Sequence, residues 1–158
     1  MSTLTTARFK EVLGHFATGV TVISATTQDG PAGFTCQSFA ALSLEPLLVT
    51  FAARRAGSSW PKIREASTLA ISVLSEEQET IARAMATSGG DKFADVAHFA
   101  LANGAPGIAG ALAHIEGTVA SVSEHGDHDI VVVAVTGLHC EPGRPLLYFR
   151  GGFGSFSA

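Results

Sequence analysis

The chain has 158 residues, 46% hydrophobic and 15% charged, with 10 Lys and Arg against 14 Asp and Glu. A net charge of −4 with no basic cluster argues against nucleic acid as a partner, and no apolar run reaches the ~18–20 residues of a membrane span. The expected organisation is one domain, 1–158, with a sizeable core of its own, and the low charge suggests that a neighbouring subunit covers part of its surface.

The first nineteen residues, MSTLTTARFKEVLGHFATG, carry neither the basic n-region nor the apolar h-region of a signal peptide, so the expected location is cytoplasmic. Residues 6–16 place Phe9, Val12, Leu13 and Phe16 on one helical face, with Gly14 a weak point and Gly19 the end of the element. Residues 20–26, VTVISAT, are β-branched and read as a strand. A turn at Gln28-Asp29-Gly30-Pro31 returns the chain into a second strand over 32–39.

LLVTFAA (47–53) is a buried strand, and 58–66 is a short helix capped by Ser58 or Ser59 with Pro61 in its first turn. LAISVL (69–74) is a strand. SEEQETIARAMA (75–86) opens with a capping box, Ser75 with Gln78, and continues as a helix. Residues 87–111 hold six glycines and prolines and read as loop. Strands follow at 114–124 and 129–140, joined by a turn at Gly126-Asp127, and the last strand is 145–149. GGFG at 151–154 reads as a flexible tail. About seven strands without regular helical crossovers predict a mainly β, antiparallel barrel with short helices at its ends.

Common chemical motifs are missing. There is no GxxxxGK[ST], no G-x-S-x-G, and GAPGIAG (104–110) follows no strand. Cys36 and Cys140 lie in no CxxC and fit small core residues in a reducing compartment. EHGDHD (124–129) gathers imidazoles and carboxylates, but its spacing matches no metal motif; a charged hairpin turn accounts for it, as does a single rim histidine touching a ligand. His15, His98, His114 and His139 pair with no nucleophile and read as structural.

The segment GFTCQSFAALSLEP (33–46) is the unusual one. Thr35, Cys36, Gln37, Ser38 and Ser43 surround apolar Phe39, Ala40, Ala41 and Leu42, and buried polar groups need partners. Those partners are nearby backbone, water or a ligand. A second polar set, Ser58-Ser59-Trp60, opens a predicted helix, and Lys92 and Arg150 could add positive charge.

FATGVTVISA (16–25), GFTCQSFAALSLEP (33–46), SSWPKI (58–63), DKFAD (91–95), EHGDHDIVV (124–132) and PLLYFRGGF (145–153) occur in that order over nearly the whole chain. Together they resemble the flavin reductase family of two-component flavin-dependent monooxygenases. The resemblance implies an antiparallel split β-barrel of the FMN-binding type and a homodimer. It implies NADH or NADPH as reductant, FMN or FAD as the flavin reduced, and an oxygenase component that receives it.

By the same resemblance, Thr35, Cys36, Gln37, Ser38 and Phe39 line the isoalloxazine and ribityl chain, with Ser43 near the same flavin. Ser58 and Ser59 approach the phosphate, beside Trp60, and Lys92 and Phe93 belong to a loop closing on the flavin. His128 is placed at the nicotinamide as the catalytic choice, with Tyr148, Phe149, Arg150 and Gly151 near that face. Cys36 and Gln37 stand where the family more often has Ala and Asn. Two other readings remain: a flavin-bound oxidase of the pyridoxamine phosphate type, for which the chain lacks a second basic cluster, and a non-enzymatic flavin- or haem-binding module.

Overall fold

The computed structural model describes residues 3–158. In chain order the elements are α1 (Thr6–Leu13), β1 (Thr18–Gly19), β2 (Thr21–Thr27), β3 (Gly30–Cys36), β4 (Ala40–Leu44), β5 (Leu47–Arg54), α2 (Trp60–Ile63) and β6 (Leu69–Val73). Then follow α3 (Glu79–Met85), β7 (His98–Ala100), β8 (Pro106–Ile108), β9 (Ala113–His125), β10 (His128–Cys140), β11 (Leu146–Phe149) and β12 (Gly152–Ser155).

Seven antiparallel strands form the main sheet in the order β3-β2-β6-β9-β10-β5-β4. The sheet curls so that its two ends meet around one core: Ile23, Phe51, Ile71, Val131 and Val133 share a cluster, and Phe34 of β3 lies edge-on to Phe51 of β5 with centroids 6.2 Å apart. The ends do not zip together. β4 pairs with β5 only as far as Thr50, and beyond it the Ser38 hydroxyl takes the place of a strand, accepting from Ala52 N–H at 2.8 Å and donating to Ala52 C=O at 3.0 Å. The result is the expected barrel, split between β3 and β4.

β2 is buried on both faces, which explains its unbroken apolar run. Ile23 and Ala25 enter the barrel, while Val20, just before the strand, and Val22 join a second cluster with Leu74, Met85, Phe93 and Leu146 under α3. Its buried hydroxyls are satisfied by backbone: Thr21 donates to Cys36 C=O at 2.7 Å and Ser24 to Pro106 C=O at 2.6 Å. β9 and β10 turn at Gly126-Asp127, where Gly126 has φ 62 and Asp127 does not, the pattern of a type II′ hairpin.

Several sequence expectations need correction. Residues 87–111 are not all loop, since β7 and β8 pair there; three residues per strand, one of them Pro106, leave no alternation to read. GGFG is not a free tail: β12 pairs with β11, and Phe153 packs on Tyr148 and under Arg83, each ring contact near 5 Å (5.1 and 5.0 Å). Tertiary pairing overrides the weak strand propensity of its glycines. The third helix starts at Glu79, not 75. Ser75 and Gln78 form a turn ahead of it, with Gln78 Oε1 accepting from Ser75 N–H at 3.0 Å. α2 is only Trp60–Ile63, and neither serine side chain caps it. α1 ends at Leu13 and buries none of its residues: Phe9 is 64% exposed, and Phe16 just beyond it 76%.

Candidate functional site

Two cavities lie at the ends of the segment Gly33–Ser38, which is the second half of β3 and the two residues after it. The larger, of about 990 Å³, is a groove between α1 and the β11–β12 turn, floored by Thr18, Gln37 and Ser38 and flanked by His15 and Tyr148. Its walls come from the two ends of the chain. Arg150 N–H donates to Gly14 C=O at 3.0 Å, and Thr18 and Gly19 of β1 pair with Tyr148 and Leu147. The turn is Arg150-Gly151, with φ 51 and 81, both in the left-handed region that a type I′ hairpin requires. That region costs a side-chain-bearing residue about 1–2 kcal/mol, and the residue that bears the cost is a cation at the groove mouth. Lys10 lines the groove as well, and neither Lys10 nor Arg150 has a carboxylate partner among the described residues. Thr18 Oγ1 is buried there with no hydrogen-bond partner, an unmet polar group of the kind a ligand satisfies.

The smaller cavity, about 130 Å³, is cationic: Lys92 and Lys62 line it with Gly33, Ser58, Ser59 and Phe93. Lys92 Nζ is held by Ser59 Oγ at 3.2 Å, Gly33 C=O at 3.3 Å and Met85 C=O at 3.1 Å. It is thus no loose surface cation, and its partial burial lowers its pKa below the usual lysine value. Phe93 is buried against Gly33, where an added Cβ would sit 3.1 Å from the ring. Glycine at 33 is what lets the loop carrying Lys92 and Phe93 close onto β3.

The segment connects the two cavities. β3 is an edge strand, paired only with β2, so one side of its backbone is free of the sheet. At about 3.3 Å per residue the four steps from Gly33 to Gln37 span about 13 Å. The polar side chains along it mostly have partners already. Thr35 donates to Ala82 C=O of α3 at 2.6 Å. Cys36 is buried, its Sγ 3.2 Å from Ser38 Oγ, and desolvation raises its thiol pKa. Ser38 is engaged with Ala52. Gln37, half-buried at the groove floor, makes no side-chain bond among the described residues and is the free amide of the set. Phe39 packs on the barrel core, and Ser43 sits half-buried at the β4–β5 bulge, lining neither cavity.

The remaining expected residues divide. Trp60 is core, 2% exposed, and its indole N–H donates to Asp129 Oδ2 at 2.8 Å. Arg64 reaches the same oxygen at 3.3 Å. Asp129, expected as a solvated carboxylate of the EHGDHD turn, is instead fully buried and ties α2 to the start of β10. His128, next to it, lies at the β9–β10 turn, lines neither cavity of its own chain, and donates from Nδ1 to Asp127 Oδ1 at 2.7 Å. That bond holds the Asp127 carboxyl below the usual range. Lys10, His15 and Thr18 were not expected at the site; α1 reads by periodicity as a helix that buries its apolar face, which hides its role as a groove wall.

A groove bordered by cations, a small lysine-lined cavity and a free strand edge between them fit a planar heterocycle carrying a phosphate tail. A reductase subunit of a flavin-dependent monooxygenase, HsaB from Mycobacterium tuberculosis, is 44% identical over 148 residues, covering 92% of this chain and 79% of that protein. The FMN reductase (NADH) SmoA of Agrobacterium fabrum is 41% identical over 149 residues, with 94% and 85% covered. The crystal structure of a nitrilotriacetate monooxygenase component B homologue from Mycobacterium thermoresistibile superposes with a TM-score of 0.91 at 40% identity, covering 96% of this chain and 86% of that one. Residues 13–157 match the model of the flavin reductase like domain, and the chain belongs to that family.

Proposed function

We propose that the protein is an NADH-dependent flavin reductase that supplies reduced FMN to a partner oxygenase. The observation that carries this is the segment from Gly33 to Ser38: it runs from a lysine-lined cavity fit for a phosphate to a groove of about 990 Å³. The flavin, when bound, takes a hydride from the nicotinamide and leaves carrying it. The chain's own task is alignment and exclusion of water, which account for most of the rate in such a transfer. Lys92, with Ser58 and Ser59, holds the phosphate. Gln37, Thr18 Oγ1 and the outer backbone of β3 meet the polar edge of the ring system, and Arg150 and Lys10 attract the anionic reductant to the groove mouth. His128, which lines neither cavity of its own chain, orients the nicotinamide held by the other protomer of the homodimer.

The protein acts as a homodimer. Two apolar surfaces support this: the α1 stripe, and the outer face of β10 and β5, where Ile130, Val132 and Ala134 lie beside Ala52, Thr50 and Leu48. The two free cysteines and the choice of NADH fit the cytoplasm. A flavin-bound oxidase of the pyridoxamine phosphate type is disfavoured, because the lysine-lined cavity has room for a single phosphate.

Purified protein mixed with NADH and FMN tests the reading through loss of the nicotinamide absorbance. Turnover that rises with added flavin is the expected result. Flavin binding without NADH oxidation would refute the reductase assignment and leave a binding module.

A further inference from the structure

We propose that Arg150 is the anion contact for the diphosphate of the nicotinamide dinucleotide, and that its backbone is held in a strained conformation to place it there. The inference rests on the reductase reading and names the part of the reductant that this residue takes. Arg150 has φ 51 and is the one residue with a side chain in the left-handed region among the described residues. It stands first in the two-residue turn between Phe149 and Gly152, which pair across β11 and β12. A type I′ turn selects Asn, Asp or Gly at that place.

The turn has no slack in which to relax. Tyr148 pairs with Phe153 behind it, and their rings pack with centroids 5.1 Å apart. On the other side Arg150 N–H donates to Gly14 C=O at 3.0 Å, just past the end of α1. Any residue but proline makes that bond, so it does not account for an arginine. Nor does the side chain offset the strain within the chain. Its guanidinium has no carboxylate partner and no aromatic ring beneath it among the described residues. Strain with no internal offset is characteristic of a functional position.

The groove supplies the reason. Arg150 lines it together with Lys10, which lies one helical turn before Gly14, the residue that anchors Arg150 N–H. The two cations thus stand at one stretch of the groove wall. Lys10 has a local reason to be a cation, since it occupies the last turn of α1; Arg150 has none. The one carboxylate lining the groove, Glu11, is paired with Arg8 at 2.9 Å. A guanidinium meets phosphate oxygens with paired N–H donors. FMN brings its own phosphate to the Lys92 cavity at the opposite end of Gly33–Ser38, so the anion that reaches the groove mouth is the reductant's.

The test compares two reductants with FMN: NADH, and N-benzyl-dihydronicotinamide, which has the same reacting ring and no phosphate. Arg150→Asn is expected to raise the NADH KM about fivefold, while kcat/KM for the neutral compound changes less than about twofold. The Tm of the flavin-free protein should rise by about 2 °C, since Asn accepts the turn conformation that Arg resists. Arg150→Lys, which keeps the charge and the strain, should stay within about threefold of the wild type in NADH KM with its Tm unchanged. An unchanged NADH KM in Arg150→Asn overturns the proposal. So does an equal loss with both reductants, which marks a contact to the ring or a displaced turn. A lower Tm, or a variant that does not fold, removes the strain, because the substitution is expected to stabilise. Sedimentation of Arg150→Asn as a single chain beside a dimeric wild type gives the guanidinium to a second copy instead. No oxidation of either reductant by the wild type is a different result: it removes the reductase reading itself.

Discussion

His128 occupies the rim of the β9–β10 hairpin, with one imidazole nitrogen committed to Asp127 and the other free. A histidine that is merely a solvated turn residue would change nothing when removed. One that positions the nicotinamide would behave otherwise: His128→Ala is expected to raise the NADH KM about fivefold, the worth of one hydrogen bond of about 1 kcal/mol, with FMN Kd unchanged. Steady-state kinetics beside a flavin titration checks this, and an unchanged KM with lost flavin binding rejects the role. Polar residues in segment 33–46 show how far a sequence can be read at this scale. That their side chains need partners is plain from composition. That Thr35 and Ser38 find them in the backbone of Ala82 and Ala52 depends on contacts 47 and 14 residues away, and no local pattern carries such information. Lys92 is similar: its type was legible, its three acceptors were not.

Strands with an internal reason to be strands were legible. β2, β5, β6, β9 and β10 are rich in Val, Ile, Leu and Thr, and the structure has them close to their expected bounds. β1, β7, β8 and β12 have two to four residues each and lean on partners, so their existence is a tertiary fact. α2 is a further case, four residues fixed less by helix propensity than by the Trp60–Asp129–Arg64 contacts. These contacts set where Ser58 and Ser59 stand relative to β10. Asp129→Ala would strand the Trp60 N–H in the core, at a cost of about 1–3 kcal/mol. The urea midpoint should fall accordingly, while Asp129→Asn, which keeps an acceptor, should lose less. Equal losses in both variants would show that charge pairing with Arg64, not the indole bond, anchors the helix.

The whole molecule leaves apolar surface that one chain does not cover. DIVVVAV in β10 lacks alternation, and the reason is visible: Val131 and Val133 fill the barrel while Ile130, 37% exposed, and Val132 face outward beside β5. A strand apolar on both faces is expected to be covered on both. Sedimentation of the wild type should therefore give twice the chain mass at micromolar concentration, and Ile130→Lys should shift it toward the single chain. A wild type that sediments as a single chain would refute the homodimer.

The groove between α1 and the Arg150-Gly151 turn is assembled from the first and last portions of the chain, which meet at Gly14 and Arg150. On the ribosome, then, every strand of the main sheet is made before the groove can exist. A nascent chain halted after β10 has every strand of the main sheet and no groove. The same holds for a chain clipped after Cys140: the strands of the main sheet remain while the groove loses a wall. Cleavage at this end would thus remove the place proposed for the chemistry while leaving the main sheet its strands.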